Sequence, residues 1–510
     1  MAVYGADVEE LRRLAKTFSD AAGRLAGAGS TVSAQVAASP WSGPDAQQFR
    51  VVWSAQHTKQ LMSAVQLLGQ GASSLAKNAD EQERTSTDDG GSGTGGTGTG
   101  TGGTGGTGGT GGSGSEGGTP GLPADGASAD SVRDWWDSLS EAEQQQYIQE
   151  HPGDIGSLDG IPAAVRDEAN RLYLTEELAR LESLPVPTDA AAAERLANAI
   201  AVLKNTQDVL EAPGQDAHLL LLDTTSGDPV RVAVALGDVD TADHVGVYTQ
   251  GMNSRADTAD GLSGPVAEMA ALRRETEQQL AQSGRGEETT AMVVWMGYHA
   301  PQNLEVADPA YGAEGGQDLA SFGEGIRANN ADGHLTALGH SYGSYTTGMA
   351  LQQTDAFDDF VAFGSPGIGT GDIGDIRTSS GEVYVLEAAY DPVADLGYFG
   401  PDTNHLDGVT NLSSSPQDGM TGSLMHSAYL ADKSTSQYNI ATVVAGMPDE
   451  SIVSPNGNTG GGDVVRETVG DAVRTVDRAV DTVVDTAVET ATEAGRYLRY
   501  GWDLATGWLP

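Results

Sequence analysis

The chain has 510 residues, too many for one ordinary domain. Its net charge of −45, from 27 basic against 72 acidic residues, excludes nucleic acid and an anionic membrane surface as partners, because both demand concentrated positive charge. It holds no cysteine, which rules out disulfides, zinc thiolate sites and a cysteine nucleophile.

Hydrophobic residues make up only 38%, but the deficit is concentrated in one tract, so the remainder can still bury a core. The N-terminal stretch lacks the continuous apolar run of a Sec signal peptide, and no run of about 18 apolar residues predicts a membrane span.

Residues 1–86 read as two helices. Val8, Leu11, Ala15, Phe18, Ala22, Leu25 and Val32 repeat at steps of three and four, as do Leu61, Val65, Leu68, Ala72, Leu75 and Ala79. The break at Ser39-Pro40-Trp41-Ser42-Gly43-Pro44 makes them a hairpin. A lone hairpin leaves half of each stripe wet, so a second hairpin is the expected partner, from another copy or a related chain. With Trp41 and Gly43 at the turn, this segment resembles the Trp-x-Gly (ESAT-like) substrates of type VII secretion. The resemblance implies that Trp41 packs into the hairpin end, that Gly43 permits the turn, and that the protein is secreted or directed to the envelope. The family's export signal, a Tyr four residues ahead of an acid, has no match in Leu75–Gln82. A carrier partner would then supply it, or the hairpin would be an adaptor in a cytoplasmic protein.

Residues 87–123 form a Gly/Thr repeat with almost no apolar side chain, a composition that predicts a flexible tether. Residues 124–454 open with helices, marked by a capping-box pattern at Ser140 and Glu143. Strands are predicted at Leu219–Leu222, Val230–Leu236, Val245–Tyr248, Met292–Met296, Leu335–Leu338, Phe360–Phe363 and Val383–Leu386. The later ones are continuous apolar runs separated by helix-length segments, which predicts an α/β fold with a mainly parallel sheet covered on both faces. Residues 463–510 carry Val465, Val469, Val473, Val476, Val480, Val483 and Ala487 at three/four spacing, an amphipathic helix suited to packing on another helix.

Gly339-His340-Ser341-Tyr342-Gly343 follows an apolar strand and precedes a helix-compatible run, the context of a nucleophile elbow. The glycines allow a sharp turn, and the helix N-terminus favours developing negative charge. A serine hydroxyl needs a histidine to take its proton and an acid to orient that histidine, here in the order Ser, acid, His. Asp391, just past Val383–Leu386, is the first choice of acid, with Asp395 behind it. His426 and His405 both satisfy the order as base. His426 precedes the apolar stretches Tyr429-Leu430 and Ile440–Val444, whereas His405 sits in a polar turn. The Tyr342 N–H and that of Met252, in the loop after Val245–Tyr248, are the expected oxyanion donors.

Trp135–Ser140, Gly160-Ile161-Pro162 with Arg166 and Asn170, Trp295–Pro301 and Gly339–Ser344 together resemble an actinobacterial α/β-hydrolase family first catalogued as a domain of unknown function. The likeness covers most of residues 130–446 and implies Ser341 as nucleophile. The family's late His-Ser-x-Tyr element matches His426-Ser427-Ala428-Tyr429, which favours His426. Two departures stand out: Thr249-Gln250-Gly251 replaces the oxyanion loop's Val-Pro-Gly, and His299 stands where the family has Asp. The expectation is a serine hydrolase of small-molecule or lipid esters, with no metal or organic cofactor. Peptidase or amidase activity, or a non-catalytic toxin-like effector, remain the alternatives.

Overall fold

The computed structural model describes residues 121–454, apart from positions 125, 228, 303–305, 307, 390, 392, 395–397 and 425, together with scattered positions between 12 and 50. The hairpin turn with Trp41 and Gly43, nearly all of the Gly/Thr tract and the C-terminal amphipathic stretch therefore lie outside the described residues, as does Asp395.

Helices are numbered from Ala129. The unit opens with α1 (Ala129–Ser138), α2 (Glu141–Glu150), α3 (Pro152–Ser157), α4 (Ala163–Ser183) and α5 (Ala190–Leu210). Ser140 caps α2 through the Glu143 N–H while the Glu143 side chain accepts from the Ser140 N–H, the reciprocal box its sequence predicts. Val132, Trp136, Tyr147, Ile148, Ile155 and Ile161 bury one another in a satellite core. Buried Arg166 and Asn170 of α4 join this core to the sheet. Arg166 pairs with Asp159 at 3.0 Å, and Asn170 donates to the carbonyls of Gly156 and Leu219. Both are structural here.

The sheet follows: β1 (Ala217–Asp223), β2 (Arg231–Leu236), β3 (His244–Thr249), β4 (Thr290–Met296), β5 (His334–His340), β6 (Asp359–Phe363), β7 (Glu382–Leu386) and β8 (Thr410–Leu412). Its spatial order is β1-β2-β4-β3-β5-β6-β7-β8, with β2 antiparallel to both neighbours and every pair from β4 through β8 parallel. This is the expected α/β-hydrolase fold. Strands β3, β4 and β6 are buried along their whole length, which is why they read as unbroken apolar runs.

Alternate residues serve opposite faces. Val232, Val234, Met292 and Val294 meet α6 (Ser263–Gln282) and α9 (Thr435–Val444) through Val266, Met269, Ile440 and Val444. Ala233, Ala235, Val293 and Trp295 meet α7 (Ala310–Asn329) and α8 (Tyr342–Leu351) through Leu319, Phe322, Ala350 and Leu351. Strand β8 is absent from the sequence reading. It has three residues at the sheet edge and only Leu412 buried, so it leaves no apolar run to detect.

In a parallel sheet the loops beyond the strands' carboxyl ends gather on one side. Those after β3, β5 and β7 carry Gly251, Ser341 and Asp391.

Candidate active site

Strand β5 ends at His340 and α8 begins at Tyr342, so Ser341 alone makes the turn, at φ 56° and ψ −132°. This is sparsely populated backbone for a residue with a Cβ, a strain on the order of 1–3 kcal/mol. What holds it is the Ser341 N–H donating to the Phe363 carbonyl at 3.1 Å, and Ser344, whose N–H and hydroxyl both donate to the Ser341 carbonyl. The flanking glycines are steric necessities. A Cβ on Gly339 would lie 2.6 Å from the Ser344 Cα, and one on Gly343 would lie 2.2 Å from the Thr249 carbonyl oxygen. Strand, helix and the loop after β3 thus converge more closely than side chains allow.

His426 stands over the elbow. Its Nε2 lies 2.7 Å from the Ser341 Oγ, and its Nδ1 lies 3.0 Å from each Asp391 carboxylate oxygen. A carboxylate can only accept, so Nδ1 carries the proton and Nε2 is left to accept from the serine hydroxyl. Asp391 is fully buried and also accepts from the Tyr429 hydroxyl at 2.6 Å and the Val393 N–H at 3.0 Å. Burial pushes its carboxyl up, but the hydrogen bonds from His426, Tyr429 and Val393 and the histidine's charge outweigh that and hold it below the usual range. Burial and the Asp391 charge push the Tyr429 phenol well above its ordinary value, so it stays a donor.

Of the residues picked out by sequence, Ser341, Asp391 and His426 therefore come together in one hydrogen-bonded chain. His405 does not join them: it is 73% exposed and pairs with Asp402 at 3.0 Å. Tyr342, the first residue of α8, has an N–H with no acceptor inside its helix. The loop after β3 passes directly over the serine, since a Cβ on Gly251 would lie 3.0 Å from Ser341 Oγ. Tyr298, stacked on Trp295, donates to the Gln250 carbonyl at 2.7 Å, and the Asn253 N–H donates to the Pro301 carbonyl. The Trp295–Pro301 segment thus clamps that loop from behind. Met252 follows Gly251 and is 40% exposed.

Sequence reasoning missed two contributions. Gly364, at φ 57°, makes room for the site: a Cβ there would lie 2.9 Å from Asp391 Oδ2 and 3.1 Å from His426 Nδ1. Its position directly after an apolar strand was the available signal. Tyr429 closes the His-Ser-x-Tyr element, but its bond to Asp391 spans 38 residues and has no local signature. Among the described residues, no group of three or more His, Asp or Glu side chains is arranged to hold a metal ion.

Comparison with known proteins agrees with this architecture. The sequence model of a family described as alpha/beta hydrolase matches residues 226–401. An uncharacterized protein of Mycobacterium tuberculosis is 34% identical over 226 residues, covering 42% of this chain and 83% of the relative. The chain belongs to the alpha/beta hydrolase family. A second uncharacterized protein of M. tuberculosis is 30% identical over 306 residues, 53% of this chain and 45% of that protein. Among solved structures, an esterase of Pyrobaculum calidifontis is similar at 14% identity and a TM-score of 0.31, covering 53% of this chain and 98% of its own. A predicted CIB-like hydrolase from Thermoplasma acidophilum is similar at 13% identity and a TM-score of 0.27, covering 46% and 98%. No described helix is long and apolar enough to cross a membrane.

Proposed function

We propose that this hydrolase cleaves carboxylic esters with apolar substituents through Ser341, His426 and Asp391 and a covalent acyl-enzyme. The observation that carries the reading is His426, within hydrogen-bond reach of the Ser341 hydroxyl on one ring nitrogen and of a buried carboxylate on the other. Ser341 Oγ attacks the ester carbonyl carbon as His426 Nε2 takes its proton, and the carbonyl electrons move onto oxygen. That oxyanion is met by the Tyr342 N–H and by the loop at Gly251-Met252. Collapse expels the alcohol, which leaves with the proton from His426. Water then gives a proton to His426 and attacks the acyl carbon, and Ser341 recovers its proton as the acid departs. Two of the exposed large apolar side chains belong to these segments, Met252 to the loop after β3 and Leu424 two residues before His426, which supports an apolar acyl or alcohol group.

Labelling with a fluorophosphonate probe, followed by turnover of p-nitrophenyl esters of graded chain length, tests the reading. The expected result is a labelled wild type and an unlabelled, inactive Ser341→Ala variant, with a loss on the order of 10⁴ to 10⁶ in kcat. An unlabelled wild type would leave a non-catalytic binding module, and turnover confined to amides would make it a peptidase or amidase.

The Trp41-Ser42-Gly43 sequence supports a further reading, that residues 1–86 pair with another helical hairpin and direct the protein out of the cell by a type VII route. Deleting them is expected to spare hydrolysis and abolish export; equal amounts of truncated and full-length protein outside the cell would refute it.

A further inference from the structure

We infer that His340 is a positioning residue that braces the base, tying the backbone of His426 to the strand that carries the nucleophile. The inference rests on the proposed roles of Ser341 and His426. His340 is the last residue of β5, and its Nε2 lies 2.8 Å from the His426 carbonyl oxygen, 86 residues away. A carbonyl can only accept, so Nε2 carries the proton and the tautomer is fixed. The imidazole is itself held by rings. It stacks on Phe363 at 5.2 Å and 20°, meets Tyr429 at 5.8 Å, and lies 4.9 Å from the His426 ring.

The base loop has other anchors, on either side of His426. Leu424 bridges to Ala389, and Tyr429 is buried in the core with its hydroxyl between Ala388 and Asp391. At residue 426 itself the backbone is tied to His340. Because His340 and Ser341 are consecutive, one rigid turn sets both the serine and the carbonyl on which the base hangs. The 2.7 Å reach from His426 to Ser341 is therefore measured from a single backbone origin. Reactions of this kind lose on the order of 100-fold when a reacting group is misplaced by about 1 Å, so such a brace bears on rate rather than on substrate affinity.

The brace must also stay neutral. Burial, and after it the neighbouring charge of His426, lower His340 to about 4, against the opposing effects of its bond to the His426 carbonyl and of Asp391. Among the described residues, His426, Asp391 and Tyr429 are the titratable groups that face it. A neutral ring can sit against His426 while that residue holds the serine proton; a second cation there would oppose the proton transfer.

The test compares His340→Phe, which keeps a ring against Phe363 but has no donor, with His340→Gln, whose amide nitrogen can reach the same carbonyl. In the full-length protein, His340→Phe is expected to lower kcat on a p-nitrophenyl ester about 10- to 100-fold with KM within about twofold. Fluorophosphonate labelling should slow in parallel, and His340→Gln should recover most of the loss. The downfield His426 Nδ1–H proton resonance, which needs no substrate, is expected in wild type and His340→Gln and lost in His340→Phe. Should the Phe variant fail to fold, His340→Asn, too short to reach the carbonyl, takes its place. Wild-type kcat in the donor-less variant, equal impairment of both variants, or an effect on KM alone would overturn the brace. If wild type itself neither labels nor turns over, the hydrolase reading fails, and the proton resonance alone decides the brace.

Discussion

Tyr429 donates its hydroxyl proton to Asp391 at 2.6 Å while accepting from the Ala388 N–H at 2.8 Å. The Asp391 carboxylate, in the loop after β7, is thereby tied through Tyr429 to the backbone just past the strand end. Replacing Tyr429 by Phe keeps the buried ring and removes one of the donors that hold the Asp391 carboxyl down. Its pKa should rise, because burial would meet less opposition. The expected outcome is a fall of about 10-fold in kcat at neutral pH, with the acid limb of the kcat profile moved to higher pH. An unmoved acid limb would mean that the Tyr429 bond is structural only.

Ser341 offers a test of strain that is separate from chemistry. At φ 56° and ψ −132° any Cβ is disfavoured, whereas glycine occupies such backbone freely. Ser341→Gly and Ser341→Ala both delete the hydroxyl bonded to His426, so their difference isolates the backbone. The glycine variant should be more stable than the alanine variant by about 1 kcal/mol in urea denaturation, even after glycine's larger loss of chain entropy. Equal midpoints would show that the elbow is relaxed.

His426 and His405 are equivalent in chain order and differ in what surrounds them. His426 reaches both Ser341 and Asp391, while His405 faces solvent beside Asp402. His426→Ala should cost on the order of 10⁴ in kcat or more, and His405→Ala less than about twofold. Both should be measured on one activated ester, and the reverse ranking would overturn the assignment of the base.

These contrasts show where the sequence is legible. Seven of the strands sit where apolar runs predict them, because a strand buried on both faces must be apolar along its length. The elbow is legible for a similar reason, since glycines at 339 and 343 are forced by contacts under 3 Å with the following helix and the loop after β3. The partners of Ser341 are harder to read. His426 and Asp391 are 35 residues apart, and their meeting depends on the space left by Gly364 and on Tyr429 behind the acid. No periodicity encodes a contact of that kind. Chain order therefore left two histidines and two aspartates open, and His426 was favoured by the family resemblance together with the apolar stretches that follow it. Strand β8 lies at the other extreme, an edge strand too short and too polar to leave a pattern.

Away from the site, Asp240 carries a pH dependence of its own. Its carboxylate accepts from the Ala163 N–H at 2.6 Å, at the start of α4. Burial raises it to about 6, helped by Asp238 and opposed by the Ala163 hydrogen bond and by Arg166 and Arg133. A carboxyl raised above its unfolded value binds a proton in the folded state when the unfolded chain has already lost it. Its contribution to stability is therefore fully present below about pH 4 and is lost as pH rises through about 6. The linked free energy is on the order of 2 to 3 kcal/mol. Asp240→Asn keeps an acceptor for the Ala163 N–H and cannot ionise. Denaturation of both proteins at pH 4 and pH 7 should give similar stabilities at the lower pH and a more stable variant at the higher. Other titrating groups are common to the pair and cancel in the difference. A gap that stays constant between the two pH values would mean that Asp240 ionises alike in the folded and unfolded chain.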